Sequence, residues 1–151
     1  MQIKYRRATI EDLQSLHSME ILVFPKEQYH TTPRRQYRYI LTKANAEIWV
    51  AEQDKIVIGA VVIFFRKNSF FGRLYSLAVH PDYRNLSIGK NLFLKAEKVI
   101  KSKNLIGLIL EARADNKQLS SFYKKLGCVQ VRTIDNYYPD TCEALKFKKT
   151  F

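Results

Sequence analysis

The stretch from Phe70 to Arg113 limits the fold of this chain more narrowly than any other. It opens with the apolar run FFGRLYSLAVH (70–80), turns at His-Pro-Asp, and ends with the nearly continuous apolar run LIGLILEAR (105–113). Between the runs, apolar residues recur at three- and four-residue steps, which predicts a helix lying on a sheet: Ile88, Leu92, Phe93, Ala96, Val99 and Ile100. The second run is typical of a strand buried on both faces. Two strands joined by a crossover helix pair in parallel, so this segment predicts a mixed sheet.

The remaining patterns add antiparallel strands and three further helices. Thr9 is a candidate N-cap with Asp12 three residues later, and Gly127 is a candidate left-handed helix stop. The predicted strands are 3–9, 46–53, 55–67, 70–80, 105–113, 129–134 and 143–149, and the predicted helices run from Thr9 to about Leu22, from near Pro33, after the turn at 80–90, and over 115–127. This order, β-α-α-β-β-β-α-β-α-β-β, predicts an α+β fold with a central mixed sheet of about seven strands and about four helices.

Length and composition indicate one domain over residues 1–151, because the 151 residues contain no internal repeat and no Gly/Ser/Pro linker. No apolar run reaches the roughly 20 residues of a membrane helix, and the first residues lack the apolar block of a signal peptide. We therefore expect a cytoplasmic protein without membrane contact. Cys128 and Cys142 are expected to be core thiols, and the three histidines lack ligand spacing, so we expect no metal site.

The net charge is unusual: 26 Lys and Arg against 14 Asp and Glu give +12. Such a charge favours anionic partners, for example a nucleic acid, a ribosomal surface or a polyphosphate cofactor. A basic surface that is merely solvated and has no specific partner explains the composition equally well. The sequence leaves open whether the protein is a monomer or a homodimer.

The turn before the central helix has the features of an anion site. A helix N-terminus presents free backbone N–H groups and partial positive charge. The small residues Ser87 and Gly89 allow a ligand close to the backbone, and Arg84 and Lys90 add full charges. We therefore predict that a diphosphate binds on this turn, whose residues are Arg84, Asn85, Leu86, Ser87, Ile88, Gly89 and Lys90.

The segment LYSLAVHPDYRNLSIGKNLF (74–93) resembles motif A of the GCN5-related N-acetyltransferases (GNAT). In that motif the strand ends in a V-x-P turn and the loop reads Q/R-x-x-G-x-G/A. The loop Arg84–Gly89 fits, except that Ser87 stands where the family usually has its first glycine. If that position requires a positive φ, Ser87 carries strain that glycine would avoid.

Four further stretches resemble the branch that acetylates protein N-terminal amines, such as the bacterial ribosomal-protein alanine acetyltransferases. That branch has a strand ending in L-E-V-R and a helix read as N-x-x-A-x-x-L-Y-x-x-x-G-F. The chain has Leu110-Glu111-Ala112-Arg113, then Asn116 and Phe122-Tyr123-Lys124-Lys125-Leu126-Gly127-Cys128. It also has the branch's Phe-Pro at Phe24-Pro25, followed by Lys26-Glu27 instead of Trp-Ser, and its Tyr-Tyr-Pro at 137–139.

The resemblance implies acetyl-CoA as cosubstrate and assigns roles to several residues. The backbone of Leu77, Ala78 and Val79 would bind the pantetheine arm and polarise the thioester carbonyl. Asn116 would bond the same arm, a role compatible with capping the helix that follows it.

The resemblance also implies a catalytic pair. Glu111 would be a general base, acting through a water, with a pKa raised by burial; the alternative is a surface Glu paired with Arg113 or a lysine. Tyr123 would be the general acid that protonates the thiolate; the alternative is an aromatic packing residue.

The acceptor is expected to contact Phe24, Tyr137 and Tyr138, although the two tyrosines are equally compatible with packing around a turn. The resemblance predicts an enzyme that acetylates a primary amine, most specifically the N-terminal amine of a protein or peptide. Acetylation of a small-molecule amine is the alternative within the family. A basic nucleic-acid-binding or ribosome-binding module without catalysis is the alternative from another class, although no RNA-binding signature occurs in the sequence.

Overall fold

The fold is known from a computed structural model, which describes residues 2–151. The seven strands are β1 (Lys4–Arg7), β2 (Ala46–Gln53), β3 (Ile56–Phe65), β4 (Phe71–Val79), β5 (Gly107–Arg113), β6 (Val129–Ile134) and β7 (Ala144–Thr150). The four α-helices are α1 (Leu13–Val23), α2 (Arg34–Thr42), α3 (Ile88–Ser102) and α4 (Lys117–Lys125). The predicted α+β fold and the predicted order of elements are confirmed.

The strands form one mixed sheet in the order β1-β2-β3-β4-β5-β7-β6. Every neighbouring pair is antiparallel except β4 and β5, the two strands joined by α3. The crossover inferred from the apolar runs therefore supplies the only parallel pair among the described strands.

Side chains from the two faces of the sheet enter two separate cores, because successive strand residues point to opposite faces. On one face, Val61 and Ile63 of β3 pack with Leu92 and Phe93 of α3 and with α4. On the other, Ala60 and Val62 pack with α1 and α2. The sheet is thus the middle of three layers, and α1 and α2 lie over β2, β3 and β4.

The parallel pair is short, and this creates an opening in the sheet. Residues 71–73 of β4 pair with residues 107–109 of β5, and no pairing between the two strands continues beyond them. Tyr75 is the additional residue of a β-bulge, since Ser76 pairs with Val62 and Leu74 pairs with Ile63. A bulge bends its strand, so the C-terminal halves of β4 and β5 diverge.

Two local expectations need correction. The first helix is preceded by a separate 3-10 turn at Ile10–Asp12, where the Thr9 N–H donates to Asp12 Oδ2 at 2.8 Å. Cys128 is buried as expected, and burial raises its pKa to about 11, but Cys142 is only half-buried. Cys142 lies in the loop between β6 and β7, outside the strands of the sheet. Among residues 2–151, no helix has the length and apolar character needed to cross a membrane.

Candidate active site

The turn between β4 and α3 has the positive φ at Ser87 that the sequence analysis raised as a source of strain. Ser87 has φ +61° and Asn85 has φ +69°, both in the left-handed region that favours glycine. Ser87 is the N-cap of α3, yet its hydroxyl makes no capping hydrogen bond. The free N–H groups of the first turn of α3 therefore remain available to an anion.

A large cavity of about 820 Å³ opens beside this turn. Its size is in the range of ligand sites in proteins. It is bounded by the end of β4, the turn, the start of α3, the start of α4 and the loop after α1. Nine of the residues predicted to bind the cosubstrate lie on its wall: Leu77, Val79, Arg84, Asn85, Ser87, Ile88, Gly89, Lys90 and Asn116.

Two predicted residues of this group are placed differently. The side chain of Ala78 points into the core beneath α1 and α2, which leaves only its backbone for a ligand. Leu86 is 52% exposed and is not part of the cavity wall. Strand alternation explains the first case, because Ala78 lies between two residues that face the cavity.

Gly89 is a glycine that the protein's own packing does not require. Its φ is not positive, and a Cβ there would meet Phe122 at 3.5 Å and Val79 at 3.7 Å, which are ordinary contacts. Both neighbours also line the cavity. A side chain at position 89 would therefore intrude mainly on the space of a ligand.

A second, narrower cavity of about 160 Å³ lies in the opening between β4 and β5. It shares Phe24, Tyr29, Leu77 and Leu119 with the larger cavity, so the two are adjacent. The predicted residues Glu111, Tyr123, Phe24, Tyr137 and Tyr138 all line it. The divergence of the two strands thus brings together the predicted catalytic and acceptor residues.

Glu111 is held by a guanidinium that the sequence did not identify. Arg73 Nη2 donates to Glu111 Oε1 at 2.5 Å and to the Tyr137 hydroxyl at 3.3 Å. The Tyr137 hydroxyl in turn donates to the same carboxylate oxygen at 3.3 Å. Glu111 is thus paired with Arg73, whereas the alternative considered from the sequence was Arg113 or a lysine.

Tyr123 lies deeper, with only 4% of its surface exposed. Its ring packs against Phe93, Phe122 and Phe147. Burial raises its pKa well above the usual value of a phenol, so the hydroxyl keeps its proton at any physiological pH. Among residues 2–151 we find no hydrogen-bond partner for this hydroxyl, and Tyr123 is one of the residues that line the narrow cavity.

Arg113 joins the three loops that surround the narrow cavity. It donates to Asp115 at 2.9 Å and 3.0 Å, to Asp140 at 2.6 Å and 3.1 Å, and to the Gln28 carbonyl at 2.6 Å. Its guanidinium also lies 5.4 Å from the ring centre of Tyr29 and 5.0 Å from that of Tyr138. All these partners belong to the loop after α1, the turn after β5 and the loop between β6 and β7.

A buried carboxylate on α1, Glu20, lines the narrow cavity. Glu20 is 5% exposed and accepts hydrogen bonds from the Tyr37 hydroxyl at 2.5 Å and the Thr32 N–H at 3.1 Å. Burial raises the pKa of Glu20 above its usual value, although both hydrogen bonds act in the opposite direction. These contacts attach the start of α2 and the segment before it to α1.

Asn116 caps a helix and also lies at the wall of the large cavity. Its side-chain oxygen accepts from the Leu119 N–H at 3.0 Å, which caps α4, and the residue also lines the large cavity. Among residues 2–151, no group of three or more His, Cys, Asp or Glu side chains is arranged to hold a metal ion.

Comparison with known proteins gives the family. The profile of the acetyltransferase (GNAT) family matches residues 13–128, which is more than half of the chain. The chain belongs to this family. The matched region contains the turn, α3, β5 and α4, and therefore both walls of the large cavity.

Two similar proteins and one solved structure illustrate the likeness. A Bacillus subtilis protein, provisionally named a ribosomal protein bS18-alanine N-acetyltransferase, is 28% identical over 91% of this chain and 88% of its own. A Thermoplasma acidophilum spermidine N(1)-acetyltransferase is 27% identical over 84% of this chain and 88% of its own. The structure of the PaiA N-acetyltransferase of Thermoplasma acidophilum with coenzyme A has a TM-score of 0.84 at 21% identity, covering all of both chains.

The protein is thus an acetyl-CoA-dependent N-acetyltransferase of the GNAT type. The residues of the large cavity fit this cosubstrate. Its diphosphate needs N–H donors and cations, which the start of α3, Arg84 and Lys90 supply. Its elongated arm needs an apolar channel toward the chemistry, and Leu77, Val79 and Phe122 line such a channel.

Proposed function

We propose that the protein transfers the acetyl group of acetyl-CoA to the N-terminal amine of a peptide or protein. The observation that carries the proposal is the opening between β4 and β5, where one narrow cavity contacts Glu111, Tyr123 and the aromatic residues of two loops. A cavity of about 160 Å³ admits the end of a chain but no bulky amine. A peptide N-terminus has this shape, because the reactive nitrogen lies at the tip of an extended segment.

Aromatic residues on opposite sides form the acceptor slot. Phe24 and Tyr29 come from the loop after α1, and Tyr137 and Tyr138 come from the loop between β6 and β7. Tyr29 contacts Tyr138 edge to face with ring centres 5.6 Å apart, and His30 Nε2 lies 2.9 Å from the Tyr137 carbonyl oxygen. These contacts hold the loops together over the site. Tyrosine hydroxyls in such a slot can bond the backbone of an extended peptide.

Glu111 is the proposed general base. A protonated amine must lose a proton before its nitrogen can act as a nucleophile. A carboxylate at the cavity wall accepts that proton directly or through one water. Arg73 and Tyr137 fix the orientation of the carboxylate through Oε1. Its second oxygen, Oε2, has no such contact among residues 2–151 and is the atom we assign to proton transfer.

Tyr123 is the proposed general acid. The bond from the acetyl carbon to sulfur breaks as the new bond to nitrogen forms, and the departing sulfur needs a proton. Tyr123 lines the same cavity, and its hydroxyl is protonated at physiological pH. Acetyl-CoA supplies the activated acetyl group, and Glu111 and Tyr123 move one proton each in opposite directions.

A small-molecule amine is the second candidate acceptor, favoured by the similarity to the spermidine acetyltransferase. The charge of the chain argues against a polyamine, since a protein with a net charge of +12 repels polycations. In addition, the carboxylate of Glu111 in the slot is already paired with Arg73, which weakens its attraction for a polyamine.

The decisive experiment is a turnover screen with acetyl-CoA and three acceptor classes: peptides with a free N-terminus, matched peptides with a blocked N-terminus and one lysine, and small amines. We expect mass spectrometry to locate the acetyl group on the α-amine of the first class. Turnover only with blocked lysine peptides or only with small amines would refute the proposal. A rise in melting temperature with acetyl-CoA, but not with RNA oligomers, would separate the enzyme from a nucleic-acid-binding module.

A further inference from the structure

A third cavity lies on the sheet face next to the narrow cavity. It is a groove of about 450 Å³ and shares Arg73, Tyr75 and Glu111 with the narrow cavity. Its other lining residues come from the end of β3, the turn after it, β4, β5 and β7: Phe64, Phe65, Arg66, Ser69, Phe71, Ile109 and Lys146. We call it the basic groove, because Arg66, Arg73 and Lys146 are its charged residues apart from Glu111.

The basic charge continues beyond the groove along the sheet. Lys146 is directly opposite Glu111 in the β5–β7 pair, and Arg132 is directly opposite Lys146 in the β6–β7 pair. Residues opposite each other in antiparallel strands have side chains on the same face. Glu111, Lys146 and Arg132 therefore form a row across three strands, on a face that α1 and α2 do not reach since they lie over β2, β3 and β4.

These cations are not neutralised by the protein. Within residues 2–151, Arg66, Lys146 and Arg132 take part in no salt bridge. The single carboxylate of the groove, Glu111, is already paired with Arg73. In addition, Arg73 Nε is fully buried and has no hydrogen-bond acceptor there. A buried donor without a partner is costly, which indicates a missing acceptor.

We propose that the basic groove and Arg132 bind an acidic segment of the acceptor, immediately following the N-terminal amine that reacts at Glu111. This inference rests on the proposed N-terminal acetylation and names its substrate class: chains with Asp or Glu within the first few positions. The distance between Glu111 and Arg132 supports this inference. Neighbouring strands are roughly 4.8 Å apart, so Arg132 lies roughly 10 Å from Glu111, a span of about three extended residues.

The occupant follows from the charges. A basic segment would be repelled by Arg66, Lys146 and Arg132, and a neutral segment would leave them unpaired. RNA is also an anion, but the groove includes Glu111, the proposed base. A ligand of the groove therefore lies next to the reacting amine, as the following residues of the same peptide would. An acidic peptide meets both conditions.

The test compares two peptides with N-terminal alanine that differ only in Glu or Gln at positions 2 to 4. We expect kcat/KM to be about five- to tenfold higher for the Glu peptide, because exposed ion pairs have modest individual effects. The ratio should shrink in 1 M KCl, since salt screens these pairs. In K146Q and in R132Q the ratio should fall toward one, and in K146E it should invert, so that the Gln peptide becomes the better substrate.

Lys98→Gln is the matched control, because Lys98 is an exposed lysine on α3, on the opposite side of the sheet. It removes the same charge and should leave the ratio unchanged. Circular dichroism and the melting shift with acetyl-CoA verify that each variant is folded.

Equal kcat/KM for the two peptides, or a ratio that K146Q does not alter, would overturn the acidic-segment inference while the proposed N-terminal acetylation stands. If instead no peptide is acetylated at its N-terminus and small amines are, the proposed function itself fails. Inhibition by an RNA oligomer that K146Q relieves, together with equal peptide rates, would assign the groove to RNA and also overturn the inference.

Discussion

Arg113 and Asp140 form a bidentate ion pair that connects the end of β5 to the loop carrying Tyr137 and Tyr138. The guanidinium is 4% exposed, and its hydrogen bonds hold the pKa of both Asp115 and Asp140 below the usual range. Since Arg113 also bonds the Gln28 carbonyl, one side chain fixes both loops of the acceptor slot. Arg113 is therefore a positioning residue.

Arg113→Lys tests this role. Lysine keeps the charge but loses the planar fork and the stacking on Tyr29 and Tyr138. We expect the KM for a peptide acceptor to rise roughly 10- to 100-fold, because the two loops of the acceptor slot are no longer fixed before the acceptor binds. The affinity for acetyl-CoA, measured by calorimetry, should change little. A variant with weakened acetyl-CoA binding and an unaltered peptide KM would contradict the assignment.

Ser87→Gly should not damage the turn before α3. The hydroxyl makes no capping bond, and φ at this position is +61°. Glycine removes a left-handed cost of about 1 kcal/mol but adds some freedom to the unfolded chain. We expect unchanged or slightly higher melting temperature and equal or tighter binding of acetyl-CoA. Asn85→Gly, at φ +69°, is the control with a smaller expected gain, because asparagine tolerates this region better. A large loss of affinity in Ser87→Gly would identify the hydroxyl as a ligand.

Gly89→Ala should separate stability from cosubstrate binding. Alanine is favoured over glycine in a helix by up to about 1 kcal/mol, and the new Cβ makes only ordinary contacts with Phe122 and Val79. The melting temperature of the free protein should therefore stay constant or rise. The Kd for acetyl-CoA should rise about tenfold or more, since the methyl group occupies the cavity. An unchanged Kd would show that the ligand does not approach the protein backbone at residue 89.

The sequence predicted the fold and the turn of the large cavity better than the side-chain contacts around the narrow cavity. The turn at 84–90 is a local motif, so its cavity could be inferred from neighbouring residues alone. The pair Arg73–Glu111 depends on the parallel register of β4 and β5 and on the bulge at Tyr75, and residue patterns do not encode register across a crossover. The same applies to Arg113 and Asp140, which are separated by 27 positions.

Glu20 shows a different limit of sequence reasoning. Its helical spacing with Leu13 and Leu16 places it on the buried face of α1, but a carboxylate there gives no sign of its partners. Tyr37 and Thr32 become its donors only because α2 folds back on α1. Its burial is thus a consequence of tertiary packing.

Glu20→Gln should change how stability depends on pH. Because burial raises the pKa of Glu20, the folded protein binds its proton more tightly than the unfolded chain. Wild-type stability should therefore fall as pH rises from about 4.3, the usual pKa of a glutamate, through the raised value of the folded state. Gln cannot ionise, so the free energy of unfolding of the variant relative to wild type should increase over that interval. Urea denaturation at pH 4.5, 6 and 8 measures it, and a difference that does not vary with pH would contradict the expectation.

Tyr123→Phe is the sharpest test of the proposed mechanism. The change removes only the phenolic oxygen and leaves the ring against Phe93, Phe122 and Phe147. Since we find no hydrogen bond of this hydroxyl among residues 2–151, the melting temperature should hardly change. General acid catalysis contributes about 10²- to 10⁴-fold, so kcat should fall by that order while the KM for acetyl-CoA stays nearly constant.

Tyr39→Phe is the matched control for this loss, because Tyr39 is 55% exposed on α2 and does not line the narrow cavity. It should keep the wild-type kcat. Pre-steady-state kinetics must first establish that chemistry limits the rate with the peptide used. If Tyr123→Phe then retains a wild-type kcat, the hydroxyl does not protonate the departing sulfur. In that case Tyr123 is a packing residue, and water or another group protonates the departing sulfur.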